Sequence, residues 1–142
     1  EKMPVHPDLM AAAEANDHAA IDMVNAWAHG AGAHIGGHPA PGTWLIGGGN
    51  RLLERAKPGV LHAGLAACNA YGEAAAAAAR VTCPVLLLLG ALDKMTPAKA
   101  GRKLAEAFTA APSVEVEAIP ACGHMMMTER PEATLDALRR FF

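Results

Sequence analysis

The sequence predicts an α/β fold in which a helical segment precedes a βαβα unit. Two strand-like runs carry the prediction: residues 85–89 are apolar at every position, and residues 114–118 alternate between apolar and charged. The first pattern suits a strand buried on both faces of a parallel sheet, and the second suits a strand with one wet face. A segment of helical spacing joins them, and strands connected in this way are almost always parallel.

Both helices of the unit have start signals. Thr96 and Pro97 suit the N-cap and first position of the connecting helix, which continues with Ala100, Leu104, Ala107, Phe108 and Ala111 at helical spacing. Pro131 opens the last helix, and the residues predicted to face inward there are Leu135, Leu138 and Phe141 or Phe142.

Asp93 and His124 follow the two predicted strands. Neighbouring strands lie about 5 Å apart, and parallel strands end at the same edge, where open α/β sheets bind ligands. We therefore expect the two side chains to meet. A carboxylate that orients an imidazole is the base half of a nucleophile–His–acid triad. Taken singly, Asp93 also suits a turn cap and His124 a plain loop residue.

Two motifs carry a family resemblance. G-A-L-D-K-M-T-P at residues 90–97 and A-C-G-H-M-M-M-T-E-R-P-E at residues 121–132 resemble the end of an α/β-hydrolase. There the acid lies in G-x-x-D-x-x-[TV]-P, the His in G-H-x-x-x-x-E-x-P, and the chain order is Ser, Asp, His. The resemblance implies that Asp93 and His124 are the acid and the His of a Ser-His-Asp triad. It implies no metal and no organic cofactor.

The nucleophile of that family is missing from the sequence. There is no G-x-S-x-G elbow, and the single serine, Ser113, precedes a strand at the wrong end of the sheet. Cys83 also precedes a strand, Cys68 reads as core of an Ala-rich helix, and Cys122 lies near His124 without an elbow. We therefore expect a carboxyl-terminal part of a larger serine hydrolase, inactive alone, whose missing amino-terminal segment carries the nucleophile. The alternative is a non-catalytic fragment or a docking segment that completes another polypeptide's sheet.

Residues 1–80 read as helical, and the resemblance implies that they form the cap, or lid, while residues 81–142 form the end of the hydrolase core. Helices are predicted from Pro7 to about 14, after Asn16 or Asp17, and at 51–57, 59–69 and 73–80; residues 29–50 read as a long loop with one turn near Trp44.

The implied substrate is a small ester or related acyl compound with an apolar part. Trp27, Trp44 and Met125 are the candidates to line its pocket. Helix packing is the competing interpretation of Trp27, and gap-filling core that of the methionine. Lactone, thioester, C–C, amide, peroxyacid and epoxide chemistry on the same fold stay open.

Composition and charge limit the classes of function that remain open. A net charge of −2 over 142 residues, with no long charge run, shows no bias towards nucleic acid or membrane. Three cysteines without metal spacing favour reduced thiols and a cytoplasmic setting. His34 and His38 have a spacing that metal ligands use on a helix, but glycines separate them and no third ligand is obvious. Residues 47–49 lack the strand and Gly-Lys-Ser/Thr of a phosphate loop.

Overall fold

A computed structural model describes residues 4–37, 39 and 42–142. Within these ranges helices come first and a βαβα unit follows. The elements are α1 Pro7–Glu14, α2 Ala19–Ala28, α3 Ala31–His34, α4 Leu45–Leu53, α5 Val60–Ala70, α6 Ala74–Ala78, β1 Val85–Gly90, α7 Ala98–Ala105, β2 Val114–Ile119, α8 Met126–Glu129 and α9 Pro131–Phe141. The predicted succession of a helical segment and a βαβα unit is confirmed, although α7 ends at Ala105, before the predicted helical positions Ala107, Phe108 and Ala111.

The two strands form a parallel sheet, as predicted. Val85 pairs with Val114 and Gly90 with Ile119, so the strands end side by side. The sheet has two strands in the part of the chain that the structure describes, and most of the strand residues are only half-buried. The loops that follow the strands leave from one edge, and this edge carries the site described below.

Helix α7 packs closely on the sheet because Gly101 faces β1. A Cβ at Gly101 would lie 2.5 Å from a methyl carbon of Leu89, a separation that real side chains do not reach. The helix begins at Ala98, and the capping position falls on Pro97 without a side-chain hydrogen bond. The prediction that Thr96 is the N-cap was therefore wrong, because its hydroxyl bonds the carboxylate of Asp93 instead.

The last helix begins at Pro131 as predicted, but it turns a different face inward. Thr134 and Ala137 are buried, whereas Leu135 and Leu138 are 47% and 39% exposed and Phe142 is 96% exposed. The Thr134 hydroxyl is satisfied on this buried face by the carbonyls of Arg130 and Met126. The leucines predicted to face inward were therefore assigned wrongly.

The helical segment has its own small core. Leu9, Ala13 and Ala20 are its buried centre, and the half-buried side chains packed against it are Val5, Ala12, Met23, Val24, Trp27, Leu61 and Leu65. The cap of α2 was predicted at Asn16 or Asp17, but the capping position falls on His18 without a side-chain cap bond. Asp17 precedes it, and its Oδ1 accepts from the amide of Ala19 at 2.9 Å. This core joins α1, α2 and α5.

Residues 29–50 were predicted as a loop and instead contain α3 and most of α4. Helix α4 starts at Leu45 and runs through the three glycines, so the helix predicted at 51–57 was placed too late. A Cβ at Gly47 would collide with the Trp44 ring, and one at Gly49 with the Asn25 amide. At Gly49 the helix therefore lies against α2 too closely for a Cβ, whereas the contact at Gly47 is with the capping residue of α4 itself. Cys68, predicted as core, is exposed on α5.

Candidate active site

Asp93 lies in the turn that follows β1, with its side chain 5% exposed. Carboxylate atom Oδ1 accepts from the amides of Met95 at 2.8 Å and Thr96 at 2.9 Å. Atom Oδ2 accepts from the Thr96 hydroxyl at 2.8 Å. The carboxylate is held in one orientation because it accepts hydrogen bonds from donors of its own loop. Oδ2 is therefore an acceptor in a fixed position at the sheet edge.

His124 meets that acceptor. Its ring atom Nδ1 lies 2.8 Å from Asp93 Oδ2, which confirms the contact predicted from the parallel strands. The His124 side chain is 42% exposed, so the ring remains open to a reactant. With Nδ1–H donating to the carboxylate, Nε2 is the nitrogen left to take a proton.

Thr96 is a third member of the cluster that sequence reasoning did not assign to the site. Its hydroxyl oxygen is 3.2 Å from His124 Nδ1 as well as 2.8 Å from Asp93 Oδ2. The signal was present in the G-x-x-D-x-x-[TV]-P motif, where Thr occupies a position that also accepts Val. The hydroxyl therefore supports the Asp93–His124 contact and does not create it.

The loop after β2 delivers His124 through a sharp turn. Ala121 adopts a left-handed conformation with φ of 50°, which is rare for a residue with a Cβ. The carbonyl of Cys122 accepts from the amide of Leu92 at 2.8 Å, which joins this loop to the Asp93 loop. The amide of His124 then donates to the carbonyl of Ala28, at the end of α2, at 2.7 Å.

Three glycines allow these segments to cross at backbone distance. A Cβ at Gly90 would collide with the carbonyl of Gly123. A Cβ at Gly123 would lie 2.5 Å from the Gly30 nitrogen and 2.7 Å from the Ala28 oxygen. No other residue type fits such contacts. The glycine that precedes His124 is thus required by the close approach of the helical segment.

The carboxylate of Glu129 is the feature that sequence reasoning missed most clearly. Its residue is 2% exposed, and it accepts from the amides of Gly30 at 2.8 Å and Gly123 at 3.0 Å. Glu129 is the Glu of G-H-x-x-x-x-E-x-P, so the motif marked it without showing what it binds.

The predicted substrate-binding residues are not brought together. Met125 directly follows His124 and is half-buried. Trp27 packs into the helical core and makes an edge contact with His6 at 5.5 Å between ring centroids. Trp44 is 73% exposed. Their roles toward a substrate stay predictions, and Met125 is the one placed beside the Asp93–His124 pair.

The candidate nucleophiles of the chain lie away from the imidazole or are unreactive. Ser113 is at the start of β2, where its carbonyl accepts from Val85, at the edge opposite His124. Cys122 is completely buried, and burial raises the pKa of its thiol to about 11, which disfavours the reactive thiolate. Neither serves as the partner of His124.

Neither a metal-ligand cluster nor a membrane-spanning helix is found in the part of the chain that the structure describes. Among residues 4–37, 39 and 42–142, no three His, Cys, Asp or Glu side chains form a group that could hold a metal ion. His38, half of the spaced histidine pair, lies outside the described residues. Over the same ranges no helix has the length and apolar character needed to span a bilayer.

A profile of the alpha/beta hydrolase family matches residues 5–137. The chain belongs to that family. A search of curated proteins found no match. The resemblance stated from the two motifs is confirmed, and so is the incomplete hydrolase sheet.

Solved structures show the same fold at low identity. A thermophilic esterase superposes with a TM-score of 0.73 at 23% identity, over 99% of this chain and 51% of its own. Est816, described as an N-acyl homoserine lactone degrading enzyme, gives 0.70 at 17% identity, over 97% and 52%. A thermophilic esterase from Thermogutta terrifontis gives 0.69 at 20% identity, over 99% and 52%. The chain spans about half the length of these structures.

Proposed function

We propose that this chain supplies the acid and the His of a Ser-His-Asp triad in an esterase-like serine hydrolase. The observation that carries the proposal is the 2.8 Å contact between His124 Nδ1 and the buried carboxylate of Asp93, with the imidazole left open. Family membership and esterase folds that extend to about twice this length support it.

In the proposed mechanism a serine from outside these 142 residues attacks the substrate carbonyl. His124 takes the hydroxyl proton on Nε2 and later delivers it to the leaving group. Asp93 holds the tautomer and stabilises the imidazolium that forms. The donors that stabilise the oxyanion come from the same outside segment.

The substrate class that fits best is a small ester or related acyl compound with an apolar part. Met125 provides apolar surface next to His124, and exposed Leu92 follows β1 at the same edge. The similar structures include esterases and an enzyme described as degrading N-acyl homoserine lactones, which are acyl compounds.

The test is fluorophosphonate labelling of the native protein, read by intact mass and peptide mapping. Label on a serine outside residues 1–142, in the same polypeptide or in one that co-purifies, is the expected result. Absence of label would favour the non-catalytic alternative, a segment that only completes another chain's sheet. Label on Ser113 or Cys122 would refute the assignment of the nucleophile.

A His124→Ala variant of the labelled protein completes the test. Loss of the His should lower kcat by several orders of magnitude and slow labelling in parallel, because the serine would lack its base. His62→Ala on α5 is the matched control, since it removes an imidazole outside the site. Full activity in His124→Ala would sink the proposal.

A further inference from the structure

The carboxylate of Glu129 joins two segments that are far apart in the chain. It accepts from Gly30, which follows helix α2, at 2.8 Å, and from Gly123, which precedes His124, at 3.0 Å. A buried carboxylate is costly unless donors satisfy it. These amides provide such donors in a site from which water is excluded.

The joined backbones also contact each other directly. The carbonyl of Ala28 accepts from His124 at 2.7 Å and from Met125 at 3.3 Å. The two amides on either side of the Gly123 Cα are therefore bonded to different anchors: the Gly123 amide to Glu129, and the His124 amide to the carbonyl of Ala28. Together these bonds hold the two peptide units that meet at Gly123, and the second of these units leads directly into the Cα of His124.

A carboxylate suits this place better than the amide of glutamine. Both of its oxygens accept, and both approach the Gly123 amide at 3.0 Å. A glutamine would keep one acceptor and point an NH₂ group at an N–H donor. The site thus requires acceptors only.

We infer that Glu129 is a positioning residue for His124, acting through Gly123 and coupling the helical segment to the triad. The expected effect of Glu129 on the reaction rate rests on the proposed function, whereas its expected effect on the position of the His124 imidazole does not. Glu129 itself is buried and lies five residues after His124 in the sequence.

The test compares Glu129→Gln with Glu132→Gln in the native protein. Glu132 is exposed in the first turn of α9, so the control removes the same charge nearby without touching the two amides. Three quantities are measured: kcat and KM on a p-nitrophenyl ester, the NMR resonance of the His124 Nδ1 proton, and hydrogen exchange at Gly30 and Gly123.

We expect Glu129→Gln to lower kcat about 10- to 100-fold, with KM within about threefold, because small misplacement of a catalytic group has effects of this size. The Nδ1 proton signal should shift or broaden, and exchange at both glycines should quicken. Amides of β1 should keep their protection, since the sheet does not depend on the carboxylate.

An unchanged Nδ1 signal in Glu129→Gln would overturn the inference, even if activity fell. If that variant does not fold, Glu129→Asp keeps the charge and retracts it by one methylene, and a smaller change of the same kind is expected. Failure of both to fold would show a general structural role and would also refute positioning. If His124→Ala retains activity while Glu129→Gln still moves the imidazole signal, the proposed function fails and the inference stands.

Discussion

Replacing Asp93 with asparagine separates the chemistry of the acid from its structural role. The carboxylate has four hydrogen-bond donors around it: the amides of Met95 and Thr96, the Thr96 hydroxyl and His124 Nδ1. In Asp93→Asn the amide oxygen can keep the two backbone donors. Its NH₂ group then takes the place of Oδ2 and faces Thr96 and His124.

The two neighbours respond differently. The Thr96 hydroxyl rotates to accept, because a hydroxyl both donates and accepts. His124 has to present Nδ1 as an acceptor, which puts the proton on Nε2 and leaves no site for the serine proton. A triad in the wrong tautomer loses about 10,000-fold in kcat, which corresponds to about 5 kcal/mol of transition-state stabilisation.

The assay is steady-state hydrolysis of a p-nitrophenyl ester by the native protein, with ¹⁵N NMR of His124 to read the tautomer. Asp136→Asn, at a side chain 61% exposed on α9, is the control for loss of charge. Asp93→Ala is less informative, because the amides of Met95 and Thr96 would also lose their acceptor and the turn itself would be perturbed. A kcat within tenfold of the parent, with the imidazole tautomer switched, would refute the reasoning.

Three other predictions follow from burial and charge. Cys122 should resist a thiol reagent at pH 8 until the protein unfolds, because it is buried and its thiol has a pKa of about 11. The other two cysteines are exposed and should react at once. Rapid reaction of all three would contradict the burial of Cys122 and its raised pKa. The hydrogen bond to Glu54, followed by one to a carboxylate of its own helix, raises the pKa of His18 above its ordinary value of 6.5. The stabilisation from His18 is then complete below pH 6.5 and is lost as pH rises through the folded-state value; an NMR titration midpoint at or below 6.5, or one unmoved by Glu54→Gln, would contradict this. Leu9 is 2% exposed, and Leu9→Ala should lower the free energy of unfolding in urea titrations by about 2–5 kcal/mol. The control Leu52→Ala, at a side chain that is 67% exposed, should lower it by about 0.5 kcal/mol or less. Equal losses would mean that Leu9 is not part of the core.

Features that depend on local pattern were predictable from the sequence. The apolar run at residues 85–89 forms β1 and Pro131 starts α9, because an unbroken apolar run and a fixed φ act through neighbouring residues. The burial of β1 on both faces was not predicted correctly, since residues 85–89 are only half-buried. The Asp93–His124 contact followed from one general rule, that parallel strands end at the same edge.

Only the tertiary structure shows which face of a helix is buried and which residues far apart in sequence bond to each other. Leu135 and Leu138 have the spacing of an inward face, yet Thr134 and Ala137 are the buried residues of α9. Helix α4 runs through Gly49, where the Asn25 side chain of α2 occupies the space of a Cβ, and no local propensity for glycine predicts that contact. The bond from Gly30 to Glu129 joins residues separated by 99 positions. A buried carboxylate shows its purpose only when its donors are known, because its charge is compatible with the interior only through those bonds.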